Sequence, residues 1–479
     1  MTLRAEPFEI GRRVSARAAG RLPYLILIAA VTFNAFFAIV NAHVAAISPE
    51  LVILAEICLV AAVHLYALFN YRPSMAPWYL LLGVTFILFL LRWLGTGEME
   101  PKFFRDVALI PTFIILGLAS DGKDLDRVVL GLLASVVVIG VIEIALPTVY
   151  SDIFSIRDYY IATRGNVAED FYAQDSTLFV SATRPDERFL SFLDAPRLSS
   201  IFLEPVSLGN FCTITVAYLA ARYKRLSALT TFLSAMGIIF LLIGSDGRLA
   251  AVSIILALGM SFLAPHLPRV TSALYLPIIV FAAVVFVLAT NASPGADDFS
   301  GRLAHTVDLL ARFQLGDFAG LPSGFLPGSM DSGIAYLILT QSLIGTTIIW
   351  LFLVCFTEER TTQQIRYTHG ILLYFVLTMT VSYSMLTIKT ASLAWFIHGV
   401  IQKPELRFRS VTRGGARFGG AVSLPLHSEF REGMNFPGGF RLSASMPQLK
   451  EPNKRINLKV APAPTLAADG KNQRKTIGL

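Results

Sequence analysis

Apolar runs of about 20 residues recur along this chain, and nothing else constrains its fold as strongly. At 1.5 Å of rise per residue, such a run is the length of a helix that crosses the hydrocarbon of a bilayer. The runs fall at roughly 22–44, 51–69, 77–95, 105–120, 128–147, 199–221, 226–244, 249–265, 272–292 and 332–356. The stretch 370–401 is too long for one crossing, and the polar group Thr387 to Thr390 divides it into two short ones. The sequence therefore predicts an all-α polytopic membrane protein with twelve transmembrane helices. A hydrophobic fraction of 54% and a mean hydropathy of +0.62 exclude a soluble domain of this length. The first run is too long for a signal-peptide core, and no small-residue cleavage site follows it, so no cleavable signal is expected. Cys58, Cys212 and Cys355 all fall inside apolar runs. They are expected to be packed thiols, neither disulfides nor metal ligands.

Charge orients the model. With the N-terminus inside, 28 Lys and Arg lie on the inner side, 11 on the outer side, and Arg92 within a span. This bias toward the cytoplasm places both termini there. Three parts result: an N-terminal arm 1–21, a transmembrane domain 22–401 and a tail 402–479. From Lys403 onward the tail carries 14 of the 40 Lys and Arg and 5 of the 33 Asp and Glu. It is therefore +9 while the rest is −2, so the basic balance belongs to a tail and not to a nucleic-acid-binding domain. Its Pro, Gly and Ser content predicts disorder, and its charge suits anionic lipids at the inner leaflet.

Two long loops then lie on the outer side, 148–198 and 293–331. The first holds eight acidic and five basic residues together with Tyr150, Tyr159, Tyr160, Tyr172, Phe189 and Phe192. Aromatic faces beside carboxylates suit a carbohydrate surface, because pyranose rings stack while their hydroxyls hydrogen-bond. The stretch Ala195 to Gly209, APRLSSIFLEPVSLG, leads from this loop into a span. Glu204 is expected about one turn inside the apolar run, where a carboxylate needs a partner or a watery cavity. Pro205 is tolerated there because it falls in the first helical turn. Arg197, Arg248, Arg302 and Lys389 fall at outer edges in the same model. Guanidinium groups grip phosphate oxygens in a two-pronged fork, so a set of them suits a lipid pyrophosphate. His305, three residues after Arg302, shares a helix face with it and offers a base. His64 and His398, inside apolar runs, are expected to be packed or hydrogen-bonded core residues.

These segments resemble the Wzy-type polysaccharide polymerases and the related O-antigen ligases. The likeness rests on RLSSIFLEPVSLGNF (Arg197 to Phe211), GSDGR (Gly244 to Arg248), SGRLAH (Ser300 to His305) and GFLPGSMDSGIAYLILTQSLIG (Gly324 to Gly345). The last resembles the family's return from the large periplasmic loop, with Asp331 and Ser332 opening a span. The resemblance implies a GT-C-like fold and a reaction on undecaprenyl-pyrophosphate-linked glycans at the periplasmic face of a bacterial inner membrane, where loops 148–198 and 293–331 would lie. An acceptor hydroxyl would attack the anomeric carbon and the lipid pyrophosphate would leave. Arg197, Arg248 and Arg302 would hold the pyrophosphate, while Glu204 or His305 would take the proton, with Asp331 at the rim. No cofactor is implied, and fixed cations make a divalent metal dispensable. Expected partners are the lipid-linked glycan, membrane lipids and a chain-length regulator, with no nucleic acid. The histidine's position departs from the ligase pattern and favours a polymerase over an O-antigen ligase acting on lipid A-core. A transporter of lipid-linked sugars would place charges at the bilayer midplane and show two similar halves, neither of which the sequence has.

Overall fold

A computed structural model describes residues 7–165, 176–183, 196–295 and 299–403, with side chains from Gly20 onward. The expected tail 402–479 lies outside the described residues apart from Gln402 and Lys403. The chain forms α1 (Pro7–His43), α2 (Pro49–Phe69), α3 (Ala76–Thr96), α4 (Pro101–Ala119) and α5 (Leu125–Ala145). The short helices α6 (Pro147–Phe154) and α7 (Ile156–Arg164) follow in the first long loop. Next come α8 (Pro205–Arg222), α9 (Ala228–Ser245), α10 (Arg248–Leu263) and α11 (Tyr275–Thr290). The second long loop carries α12 (Phe299–Arg312) and α13 (Leu315–Phe318), and the chain continues through α14 (Gly333–Cys355), α15 (Thr362–Met379) and α16 (Ile388–Ile401). Each expected apolar run contains one of these helices. The stretch 370–401 is divided as expected, although the break falls earlier, over residues 380–387.

Among the described residues, eight helices are long and apolar enough to cross a membrane: α1 from Gly20, α2, α3, α5, α9, α10, α11 and α14. The others differ because of where they sit. α4, α8, α15 and α16 are buried along most of their length and form the centre of the bundle. A helix covered on every side can carry hydroxyl, amide and charged groups, provided neighbours satisfy them. In α8, Thr213 and Thr215 return their hydroxyls to the carbonyls of Gly209 and Phe211 at 3.1 and 2.7 Å. Asn210 donates to Ser384 Oγ at 2.9 Å and accepts from Tyr374 at 2.5 Å. His64 and His398 are hydrogen-bonded within the bundle, to Thr112 at 3.2 Å and Thr357 at 3.3 Å.

The tightest packing is between α4 and α16. A Cβ added to Gly117 would stand 2.3 Å from the Phe396 carbonyl oxygen, and one on Gly399 would stand 2.2 Å from that of Ile114. Backbones come this close only where both helices present glycine. The cysteines divide between the two environments. Cys212 in α8 is buried, but Cys58 and Cys355 are exposed, contrary to the expectation of three packed thiols. Their helices present those faces outward among other apolar side chains.

The helices alternate in direction, which gathers the connections at two ends. One end collects the starts of α2, α4, α8, α14 and α16, tied by pairs such as Arg105–Glu56 and Lys389–Glu204. The opposite end is tied by Arg222–Asp126, by Arg269 to the end of α14, and by Gln364 to the end of α16. α14 is also interrupted at Ser342, whose φ of 66° is left-handed, and Gly320 packs against that break.

Candidate functional site

The site begins with an unusual backbone. Ser200 (φ 49°) and Leu203 (φ 63°) both occupy the left-handed region, which costs a side-chain-bearing residue about 1–3 kcal/mol. The surroundings hold this turn in place. The Glu143 carboxylate on α5 accepts the backbone N–H groups of Ser199 at 3.0 Å and Ser200 at 2.6 Å. Ser200 Oγ donates to the Val136 carbonyl at 2.7 Å, and Tyr150 donates to the Ser200 carbonyl at 2.8 Å. Phe202 and Leu203 are fully buried. The turn thereby fixes Glu204 as the residue before α8, not one turn inside it as expected, with Pro205 as the first helical residue.

Glu204 is available because it does not cap its own helix. Its carboxylate instead meets Arg164 of α7 at 2.5 Å and Lys389 of α16 at 3.1 Å, and accepts Ser207 Oγ at 2.8 Å. Lys389 is 3% exposed and also donates to the Phe202 carbonyl at 3.2 Å. A buried ammonium needs such partners, and removing one side of a buried pair costs about 3–5 kcal/mol. Arg164 is different: it is 44% exposed, with its guanidinium 4.2 Å from the Tyr160 ring and 5.7 Å from that of Phe179. It is the member of the group that a solute can reach. Burial would lower its pKa, but the Glu204 carboxylate outweighs that and holds it above its ordinary value. Burial, then the Glu204 charge, pushes the Tyr160 hydroxyl well above its usual range.

A second charged group adjoins the first. Arg105 donates to Glu56 at 2.6 Å and to Asp106 at 2.6 Å. Asp106, 1% exposed, also accepts Tyr336 at 2.6 Å and lies 3.6 Å from Lys102. Lys102 stands 4.9 Å from the Tyr336 ring centre and 5.2 Å from that of Tyr383. Tyr383, in the connection between α15 and α16, joins the two groups. Burial raises its hydroxyl, which also feels Arg164, Asp106, Glu204 and Arg105.

The other expected residues fall in two further groups at this end. Arg197 pairs with Asp246 at 3.2 Å, and Arg248 opens α10 two residues later, its N–H donating to the Asp246 carbonyl at 3.1 Å. Arg302 and His305 share α12 as expected. Arg302 reaches Asp331 at 3.6 Å and His305 Nε2 lies 2.9 Å from the Gly328 carbonyl oxygen. Ser332 caps α14 by accepting the Ala335 N–H at 3.3 Å, as expected for a residue opening a span. The sequence points to Arg197, Arg248, Arg302 and Lys389 as the cations of the site, whereas the structure pairs Glu204 with Lys389 and with Arg164. Arg164, Lys102, Arg105 and Asp106 are absent from that expected set. The run Lys102, Arg105, Asp106 at the head of an apolar helix was the available signal.

The aromatic expectation also needs correction. Tyr150, Tyr159 and Tyr160 are 1% exposed and cannot stack on sugars. Tyr150 holds the turn, Tyr159 donates to Asn34 at 2.6 Å, and Tyr160 underlies Arg164. Tyr172, Phe189 and Phe192 lie outside the described residues. Among the described residues no group of three or more His, Cys, Asp or Glu is arranged to hold a metal. No protein-family model matches the chain, and no curated protein or solved structure matches it.

Proposed function

We propose that the protein is a membrane glycosyltransferase that polymerises undecaprenyl-pyrophosphate-linked oligosaccharide repeat units at the periplasmic face of the inner membrane. In this reading α4, α8, α15 and α16 complete twelve crossings of a GT-C-like fold. The connections at the Glu204 end then face the periplasm, and a chain-length regulator is the expected protein partner. One observation carries the reading: a buried carboxylate, Glu204, lies between an exposed guanidinium and a buried ammonium at one edge of a membrane bundle. That combination suits a reaction which releases a pyrophosphate and a proton at the same place.

In the reaction an acceptor hydroxyl oxygen forms a bond to the donor's anomeric carbon as the carbon–oxygen bond to pyrophosphate breaks. The pyrophosphate takes the bonding electrons, and cations stabilise the charge that grows on it. Arg164 adds an accessible fork to Arg197, Arg248 and Arg302 for this purpose. The hydroxyl proton passes to Glu204, with His305 as the other base on the same side. For Glu204 to accept it, Arg164 must release the carboxylate, and an arriving pyrophosphate competes for that guanidinium. Lys389, buried and doubly bonded, keeps the carboxylate in position throughout.

The test is the polymer chain-length profile of cells carrying Glu204→Gln at matched membrane abundance. Polymer synthesis should fall by roughly 10²-fold or more, the usual contribution of a general base. Near-normal polymer from this variant would refute the site. Loss with His305→Gln but not with Glu204→Gln would move the base to α12.

A further inference from the structure

At the end of the bundle opposite Glu204, α8 and α10 stop and α15 begins, and the three pack against one another. Arg222, Tyr223, Lys224 and Arg225 stand at the end of α8, and Arg366 stands near the start of α15. The carboxylates of this edge are already engaged. Asp126 accepts Arg222 at 2.9 and 2.7 Å, accepts the Tyr218 hydroxyl, and attracts Arg225 as well. Glu358 is taken by Arg360 at 3.3 Å, and Glu359 by His369 at 3.5 Å. Among the described residues no carboxylate forms an ion pair with Lys224 or Arg366.

These two cations instead share one aromatic ring. The Arg366 guanidinium lies 4.8 Å from the centre of the Tyr223 ring, and Lys224 Nζ lies 5.9 Å from it. Arg366 first, by hydrogen bonding and charge, and then Lys224 hold the exposed Tyr223 hydroxyl below its ordinary value, so both stand near it. Arg366 Nε is buried with no hydrogen-bond partner among the described residues. Like charges gathered on one ring repel, and an anion placed between them removes that cost.

The other side of Arg366 is apolar. Its guanidinium lies 5.6 Å from the centre of the Phe262 ring. Phe262 and Leu263 are 60% and 51% exposed and close α10, a helix long and apolar enough to span. The cations therefore sit where lipid-facing surface meets the membrane edge, with Tyr223 at the level that interfacial tyrosines occupy.

We propose that Arg366, Lys224 and Tyr223 bind the phosphate of an anionic glycerophospholipid, whose glycerol and first acyl carbons lie on Phe262. The guanidinium offers a planar fork to two phosphate oxygens, and the ammonium adds a point charge beside it. A soluble phosphate would meet the same cations but would leave Phe262 without a partner.

The test uses the full chain in detergent, stripped of lipid, with phosphatidylglycerol added in mixed micelles. Phosphatidylcholine and inorganic phosphate at equal ionic strength are the controls. Phosphatidylglycerol should raise the melting temperature as its mole fraction grows, as a ligand of the folded state must, and neither control should. Lys224→Gln and Arg366→Gln should each raise the lipid fraction needed for half the shift roughly fivefold, the usual effect of one basic residue at an anionic surface. Lys224 is exposed, so its variant carries the test if Arg366→Gln fails to fold. Lys123→Gln, which removes another exposed cation, should leave that fraction unchanged. No shift with phosphatidylglycerol, or an equal shift with either control, would overturn the proposal. So would an unchanged midpoint in Lys224→Gln, or an equal weakening in Lys123→Gln, since lipid would then be gathered by basic surface in general.

Discussion

The central helices α4, α8, α15 and α16 and the peripheral helices α9, α10 and α11 are built on opposite rules. α16 is buried at every position yet holds Lys389, Thr390, Ser392 and His398. α11 is almost uniformly apolar, and only 11% of its most apolar window is covered by the rest of the protein. Lipid offers a peripheral helix no hydrogen bonds, so it must be apolar wherever it is exposed. A central helix is surrounded by protein, and its polar groups are satisfied by partners on other helices. Apolarity therefore identifies the outside of this bundle, and polar content identifies the inside, where the charged groups of the candidate site lie.

The largest test of this contrast is steric. Gly399→Leu on α16 places side-chain atoms onto the backbone of α4, whereas Gly131→Leu on α5 points into open space. The first should eliminate most folded protein from the membrane, and the second should leave its abundance unchanged in a fluorescence-detected size-exclusion profile. Equal profiles would mean that the centre packs less tightly than described.

An electrostatic test comes next. Lys389→Met leaves Glu204 without its buried partner and should destabilise the protein by about 3–5 kcal/mol. Lys123→Met removes an exposed partner of Asp121, its side chain 76% exposed and 3.8 Å away, and should change stability by less than about 1 kcal/mol. Thermal unfolding in one detergent compares the two directly. A Lys389 variant as stable as the Lys123 variant would show that α16 tolerates an unpaired carboxylate beside it.

The smallest effect is chemical. A membrane-permeant maleimide should add one label to the native protein, at Cys355 where α14 ends. Cys58, on the lipid-facing side midway along α2, stays a thiol in apolar surroundings, and Cys212 is buried, so both should label only after denaturation. Intact-mass measurement counts the adducts, and two or more on native protein would mean that the interior of the bundle or its apolar face is open to water.

The sequence made the periphery more legible than the centre. Hydropathy located every long helix and the division of 370–401, because each run reports its own environment. It also drew attention to Glu204, since a carboxylate beside an apolar run stands out without knowledge of its neighbours. Its partners were harder to find. Arg164 lies 40 residues away in a charged loop where no single arginine is conspicuous. Asp106 meets Tyr336 across 230 residues, and no local pattern announces such a pair. The buried tyrosines failed for a related reason: in a list of loop residues, an aromatic that supports the turn looks the same as one that faces solvent.

Glu143 affects how any mutational map of this protein will read. It sits on α5 and grips only main-chain N–H groups, those of Ser199 and Ser200. Replacing it frees two left-handed residues to relax, and Glu204 moves with them. A scan of acidic residues scored by product alone will therefore rank Glu143 beside Glu204. In the proposed reaction the two differ in kind: Glu143 determines where the carboxylate stands, and Glu204 is the base. Only Glu143 should admit second-site suppressors that stiffen the same turn by another route.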